Sequence, residues 1–268
     1  MWHSTFPHTD GFKLELLPDR KESEESMESG DFGRALIMTS DLRGYGQGTD
    51  KRHEAMQHGF VDIHEHAAAR AGLNRDRWAI QPGGDGELAV LPSSEPDPLV
   101  VDQYIRALHQ ELTGHNEGRA EKERLRLRVA LAFGTAYPSV NGYAGQAVVE
   151  ASRLVDWQPL KRIFKKRADM NIALILSQRV FEDVVQQGHT SYKTGDFHRV
   201  TVQEKEFSGP AWVWSPEFNS GDLCLLSDFT EEGQAEKIRA DTSQQAEVIN
   251  NLSGSVDARR AIFGINRK

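Results

Sequence analysis

Short apolar runs alternate along this chain with longer segments in which apolar residues recur every three or four positions. Ala35-Leu36-Ile37-Met38-Thr39-Ser40 predicts a buried strand over 34–40, and Thr49/Asp50 supply cap residues for a helix over about 51–72. Trp78-Ala79-Ile80 and Glu87-Leu88-Ala89-Val90-Leu91 flank a glycine turn and predict a hairpin. Val100, Val101, Tyr104, Ile105, Leu108 and Leu112 repeat at helical spacing within a segment of roughly 97–114. From Arg124 to Gly134 polar and apolar residues at first alternate strictly, a period of two that marks a strand with one face buried. That assigns Arg124, Arg126 and Arg128 to the exposed face. A helix follows over about 144–168, then a strand at 171–176, a short helix at 178–187, and strands near 197–205 and 210–215.

Strand, helix, hairpin, helix, strand is the order of a split βαβ sandwich. The expected class is therefore α+β, a ferredoxin-like fold with a mostly antiparallel sheet and helices on one face. Its expected extent is 34–216, with no internal repeat. Residues 1–33 read as a flexible acidic leader, because Pro18-Asp19-Arg20-Lys21-Glu22-Ser23-Glu24-Glu25-Ser26 is charged and poor in apolar residues. Residues 217–268 read as a tail. Its apolar patches at 248–252 and 261–265 could dock on a protein partner as added β-structure or stay unstructured.

Composition narrows the function. A net charge of −8 argues against a nucleic-acid binder, which needs a basic face. The single cysteine, Cys224, leaves no intramolecular disulfide and no cysteine-based zinc site. No stretch is apolar for long enough to cross a membrane, and the N-terminus shows no basic region followed by an apolar one, so a cytoplasmic protein is expected.

Two aspartates carry the chemistry. Asp41 ends the first apolar run and opens into Leu42-Arg43-Gly44-Tyr45-Gly46; Asp85 sits in Gly83-Gly84-Asp85-Gly86. A carboxylate at a strand end beside a glycine-rich turn suits a divalent cation, while the glycines let backbone amides close on an anion. Two such sites suggest a pair of Mg²⁺ or Mn²⁺ ions working on a nucleoside triphosphate. Arg153, on the helix after the alternating strand, is a guanidinium of the kind that stabilises charge on a transferring phosphoryl group.

In order and spacing these parts resemble the catalytic domain of class III nucleotidyl (adenylate and guanylate) cyclases. The likeness covers about 34–190, with a weaker echo to about 216. It rests on the strand into Asp41, the Gly84-Asp85 turn and the Arg126-Leu127-Arg128-Val129-Ala130-Leu131 strand. The Gly142/Gly145 loop and Ala151-Ser152-Arg153-Leu154 complete it. The resemblance implies that Asp41 and Asp85 bind two metal ions, that the amides of Leu42, Arg43, Gly44 and Tyr45 wrap the triphosphate, and that Arg153 reaches it from the second subunit of a homodimer.

The family pattern has an asparagine four residues before the arginine, where this chain has Val149, and a base-reading lysine where it has Gln81. The second base-reading position falls near Gly142, which offers no carboxylate. Gln81 could still bond a base edge, so a different nucleotide is possible; equally, the domain could be a binding or regulatory module without turnover. Gly83-Gly84-Asp85-Gly86-Glu87 is also similar to the GG(D/E)EF signature of diguanylate cyclases, but a glycine interrupts the acidic pair and the downstream parts fit class III better.

Three other clusters have plainer readings. His53, His58, His64 and His66 share one helix, and residues two apart on a helix point in different directions, so they read as solvated or core-edge side chains. The run Lys161-Arg162-Ile163-Phe164-Lys165-Lys166-Arg167 suits a helix C-terminus, with contact to phosphates or an acidic partner as the alternative. Trp212 and Trp214 share a sheet face and read as packing residues.

Overall fold

The computed structural model describes residues 33–230. In chain order its elements are β1 (Gly33–Leu42), α1 (Asp50–Arg70), β2 (Ala79–Pro82), β3 (Gly86–Val90), α2 (Asp97–Leu99), α3 (Ile105–Asn116), β4 (Leu127–Ser139) and β5 (Gly142–Ala144). They continue with α4 (Gln146–Asp156), α5 (Gln158–Lys166), β6 (Ile172–Ser177), α6 (Gln178–Val180), β7 (His198–Glu204), β8 (Phe207–Trp214) and α7 (Ser220–Ser227). A π-helical stretch, Val100–Tyr104, joins α2 to α3. The strand order is β2-β3-β1-β4-β6-β8-β7, with β5 folded back on β4. Only β4 and β6 run parallel; every other pair is antiparallel. The first four strands and the helices between them form the split βαβ unit, so the α+β class and the mostly antiparallel sheet stand as expected.

Helices cover both faces of the sheet, not one. Leu36 and Met38 of β1 and Val129 and Leu131 of β4 pack with Phe60 and Ile63 of α1 and Leu108 and Leu112 of α3. On the other face Ile37 and Ala132 meet Ala147, Val148 and Ala151 of α4. Ala173, Ile175 and Val213 there meet Leu160, Ile163 and Phe164 of α5. The reason is legible in β4: after Arg128 the strand turns apolar on both sides, Val129-Ala130-Leu131-Ala132, the pattern of a doubly covered strand.

This second layer also buries the arginines assigned to solvent. Arg126 is 2% exposed. It donates to the carbonyls of Met170 (2.6 Å) and Phe164 (2.7 Å) and to that of Arg167, and lies 4.9 Å from the Phe164 ring centroid. It thus caps the C-terminal carbonyls around α5, where positive charge is favoured. Arg126→Met is expected to lower stability by about 2–4 kcal/mol, because those carbonyls stay buried without their donor. Urea denaturation of wild type and variant measures it; an unchanged midpoint would remove Arg126 from the fold's supports.

The helix expected over 144–168 is broken at Trp157, whose ψ of 119° is extended. Pro159, in the first turn of α5, lacks the N–H a continuous helix would donate to the Val155 carbonyl. The chain past Pro216, assigned to the tail, folds onto the domain at its start. Asn219 and Asp222 form a capping box, and Phe218, Leu223, Leu226 and Phe229 pack beside Trp157 and Leu160 on the second face. Trp212 and Trp214 are packing residues as read, with Phe181 stacked 4.4 Å from Trp212. Residues 1–32 of the expected leader and both apolar tail patches lie outside the described residues. No helix among the described residues is long and apolar enough to cross a membrane.

Candidate active site

The β2–β3 turn closes on the end of β1. Asp41 pairs with Gly86 in the antiparallel register, and the Leu42 amide donates to the Asp85 carbonyl at 2.7 Å. Glycine is required there: a Cβ on Gly86 would stand 2.1 Å from the Ser40 carbonyl oxygen. This close approach brings Asp41 and Asp85 to one open cavity of about 660 Å³, which Leu42, Arg43, Gly44, Tyr45 and Gln81 also line. Gly44 takes φ +80°, which turns the loop over the cavity. The amides of Leu42 and Arg43 are already bonded, to the carbonyls of Asp85 and Arg126. Those two amides are therefore not free for the phosphate-wrapping role expected of residues 42–45.

Arg153 stands apart. The α4 residues on the cavity are Val148, Ser152, Val155 and Asp156, whereas Arg153 turns away and pairs with Glu206 in the β7–β8 turn at 2.6 Å. Val149, one helical turn earlier on the same face, is 41% exposed. Gln81 lies against Gly142: a Cβ on that glycine, at φ +96°, would stand 2.0 Å from the Gln81 Oε1. The two positions that the resemblance assigns to base reading thus lie against each other.

Two further cations, Arg128 and Lys161, line the cavity. Arg128 stands opposite Asp41 in the β1–β4 register and forms an ion pair with it. Burial pulls its guanidinium down to about 10, countered by Asp156, so it stays charged at neutral pH. Reading Arg128 as solvent-facing was the error, and aligning β4 with β1 would have found it. Lys161, in the basic run, lines the cavity and pairs with Asp156 at 2.5 Å; Lys165 and Lys166 occupy the last turn of α5, as expected of that run.

Among the described residues no three His, Cys, Asp or Glu side chains form a metal cluster. Asp41 and Asp85 line an open cavity together with Glu87 and Asp156, the latter two engaged by the cations Arg75 and Lys161 in turn. The aspartate pair suits Mg²⁺ or Mn²⁺, hard cations that take one or two carboxylates and complete their shell with water and substrate phosphates.

Behind the cavity lies a buried polar relay. Ser40 Oγ is 3.2 Å from His64 Nε2, and His64 Nδ1 is 2.5 Å from the Tyr104 hydroxyl. Glu87, opposite Ser40 in the ladder, is held by both arms of Arg75 at 2.8 and 2.5 Å. His64 is fully buried, neither solvated nor at the core edge, because α1 turns it onto the sheet beside Phe60 and Ile63. Burial lowers its pKa from 6.5 to about 4, with Glu87 opposing. Between those pH values the unfolded chain takes up a proton that the folded state refuses, so stability is full above 6.5 and falls as pH drops toward 4. Against His64→Gln, the wild type is expected to lose an extra 2–3 kcal/mol, roughly, between about pH 7.5 and 4.5, read from urea midpoints. A difference that stays flat across that window would refute the assignment.

Among solved structures, an adenylate/guanylate cyclase/hydrolase from Silicibacter pomeroyi superposes with a TM-score of 0.51. The match covers 69% of this chain and 98% of that one at 20% identity. The chain carries a divergent class III cyclase-like fold. A bacterial light-regulated adenylyl cyclase gives a TM-score of 0.50 at 13% identity, covering 74% of this chain and 55% of that one. No family model and no curated protein matches the chain. The likeness is one of fold.

Proposed function

We propose that the domain is a divergent nucleotidyl cyclase, converting a nucleoside triphosphate into its cyclic monophosphate and pyrophosphate. The observation that carries this reading is the convergence of Asp41 and Asp85 on one cavity beside a glycine turn. In the reaction the ribose 3′-oxygen bonds to the α-phosphorus, the α–β anhydride breaks, the hydroxyl proton leaves, and negative charge accumulates on the departing pyrophosphate.

Asp41 and Asp85 would hold two Mg²⁺ or Mn²⁺ ions, which when bound supply charge neutralisation on the triphosphate and a more acidic 3′-hydroxyl. The Gly44 and Tyr45 amides would receive phosphate oxygens, while Arg128 and Lys161 add fixed positive charge near them. Gln81 stands where it would meet the base edge. Arg153 of a second copy would complete the site, which makes a homodimer the working form.

Mass spectrometry of the purified protein incubated with each of the four nucleoside triphosphates and Mn²⁺ tests the reading. At least one cyclic product is expected; none from any triphosphate, with protein that melts cooperatively, would overturn it.

A second reading has its own support. Arg128 already neutralises Asp41, and an exposed Val149 stands where the family pattern has asparagine, as suits a cyclase-fold module that binds a nucleotide without turning it over. Calorimetry separates the two: tight binding of a metal–triphosphate complex with no product supports the module.

A further inference from the structure

A second cavity, of about 530 Å³, is lined by part of the loop that follows β1 and shares Arg43 and Gly44 with the carboxylate cavity. Its charge is one-sided. Arg43, Arg52, Lys122, Arg124 and Arg126 line it against a single carboxylate, Glu121, in a chain whose net charge is −8.

None of these five cations forms an ion pair among the described residues, although Arg70, Arg75, Arg106, Arg128, Arg153, Arg167 and Arg179 all do. Arg52 is committed to backbone carbonyls, those of Gly44 (3.1 Å), Gln47 and Lys122 (2.9 Å), and so fixes the loop's shape. Arg43 and Arg124 each reach one carbonyl, Lys165 at 3.3 Å and Arg119 at 3.2 Å.

Arg126 gives the independent indication. It is 98% buried on the 2% exposure above, it lines this cavity, and its Nη1 has no hydrogen-bond partner among the described residues. A buried, unsatisfied guanidinium nitrogen carries a desolvation cost, which an anion that reached it from the cavity would relieve. Burial first and then the neighbouring charge of Arg43 disfavour the Arg126 cation, with Glu121, Asp169 and Glu217 opposing.

We infer that this basic cavity is a binding site for a polyvalent phosphate anion, pyrophosphate or the triphosphate of a nucleotide, distinct from the carboxylate cavity. Guanidinium forks match phosphate oxygens, and several positive charges in one concave wall favour an anion carrying more than one phosphoryl group. A nucleic-acid backbone is the less favoured occupant, because a net charge of −8 opposes the approach of a long polyanion. Because the Arg43-Gly44 segment forms a wall of both cavities, an anion held here would steady the loop that meets the substrate. The inference stands without the cyclase reading, since it needs no metal and no turnover.

The test is calorimetry on the full chain in EDTA, with inorganic phosphate, pyrophosphate and ATP as probes. Pyrophosphate or ATP is expected to bind more tightly than inorganic phosphate. Lys122→Gln with Arg124→Gln is expected to weaken that binding by about tenfold or more at an unchanged melting temperature. Asp41→Asn is expected to leave the affinity unchanged. Tighter binding of ATP than of pyrophosphate assigns the site to a nucleotide and the reverse to free pyrophosphate; either supports it. Four results would overturn it: no binding by any probe, equal affinity for phosphate and pyrophosphate, indifference to the double substitution, or binding strengthened by Asp41→Asn, which would put the anion in the carboxylate cavity.

Discussion

Asp41→Asn is expected to reduce cyclic-nucleotide formation by at least about 10²–10³-fold, the size of effect that follows when one fixed electrostatic partner of a transition state is removed. The amide keeps the shape and one acceptor oxygen but loses the charge that would hold a divalent ion. It also strips Arg128 of its ionic partner. That guanidinium is largely buried and Asp41 is only slightly exposed, so the variant is expected to lose about 1–3 kcal/mol of stability as well, tempered by the acceptor oxygen that asparagine retains. Asp85→Asn separates the two effects. Asp85 reaches the same cavity but forms no ion pair among the described residues, so its substitution is expected to match the kinetic loss with stability within about 0.5 kcal/mol of wild type. Initial rates with the accepted triphosphate, together with urea midpoints, measure both. Turnover near the wild-type rate in Asp41→Asn would remove that residue from the chemistry.

What the sequence disclosed follows from how locally each feature is encoded. The strand into Asp41, the glycine hairpin around Asp85 and the periodic helix before Asn116 are written in contiguous residues, and turn chemistry plus period sufficed to find them. Their order then gave the sheet, because few topologies accept a helix on each side of a hairpin. The burial of Arg126 and Arg128 was not legible that way. Alternation says which residues share a face, but whether that face meets water depends on α4 and α5, which arrive later in the chain. The break at Trp157 was more accessible, since Pro159 stands two residues on. The ordering of residues 217–230 was less so, because Asn219 caps a helix whose apolar residues matter only against Trp157 and Leu160. Of the residues that line the cavity, both carboxylates and the loop are contiguous with readable turns, whereas Arg128 needed the β1–β4 register.

Arg153→Ala is expected to lower turnover by about 10²–10³-fold as a single variant, and the way activity returns distinguishes how the site is built. Within one protomer Arg153 faces Glu206, around the helix from Ser152 and Asp156, which line the cavity. A rotamer change does not carry it through α4, so a site that uses it must take it from another copy. Its present partner is no obstacle, because Glu206 is largely exposed and such an ion pair exchanges readily with a phosphate. If two copies share two equivalent sites, mixing Arg153→Ala with Asp41→Asn yields heterodimers in which one site carries both lesions and the other carries neither. Random pairing then restores about a quarter of wild-type activity from two inactive proteins. Rates measured across a series of mixing ratios should pass through a maximum at equal proportions. A mixture as inactive as its components would confine Arg153 to its own chain, where its contact with Glu206 makes it a surface ion pair and nothing more.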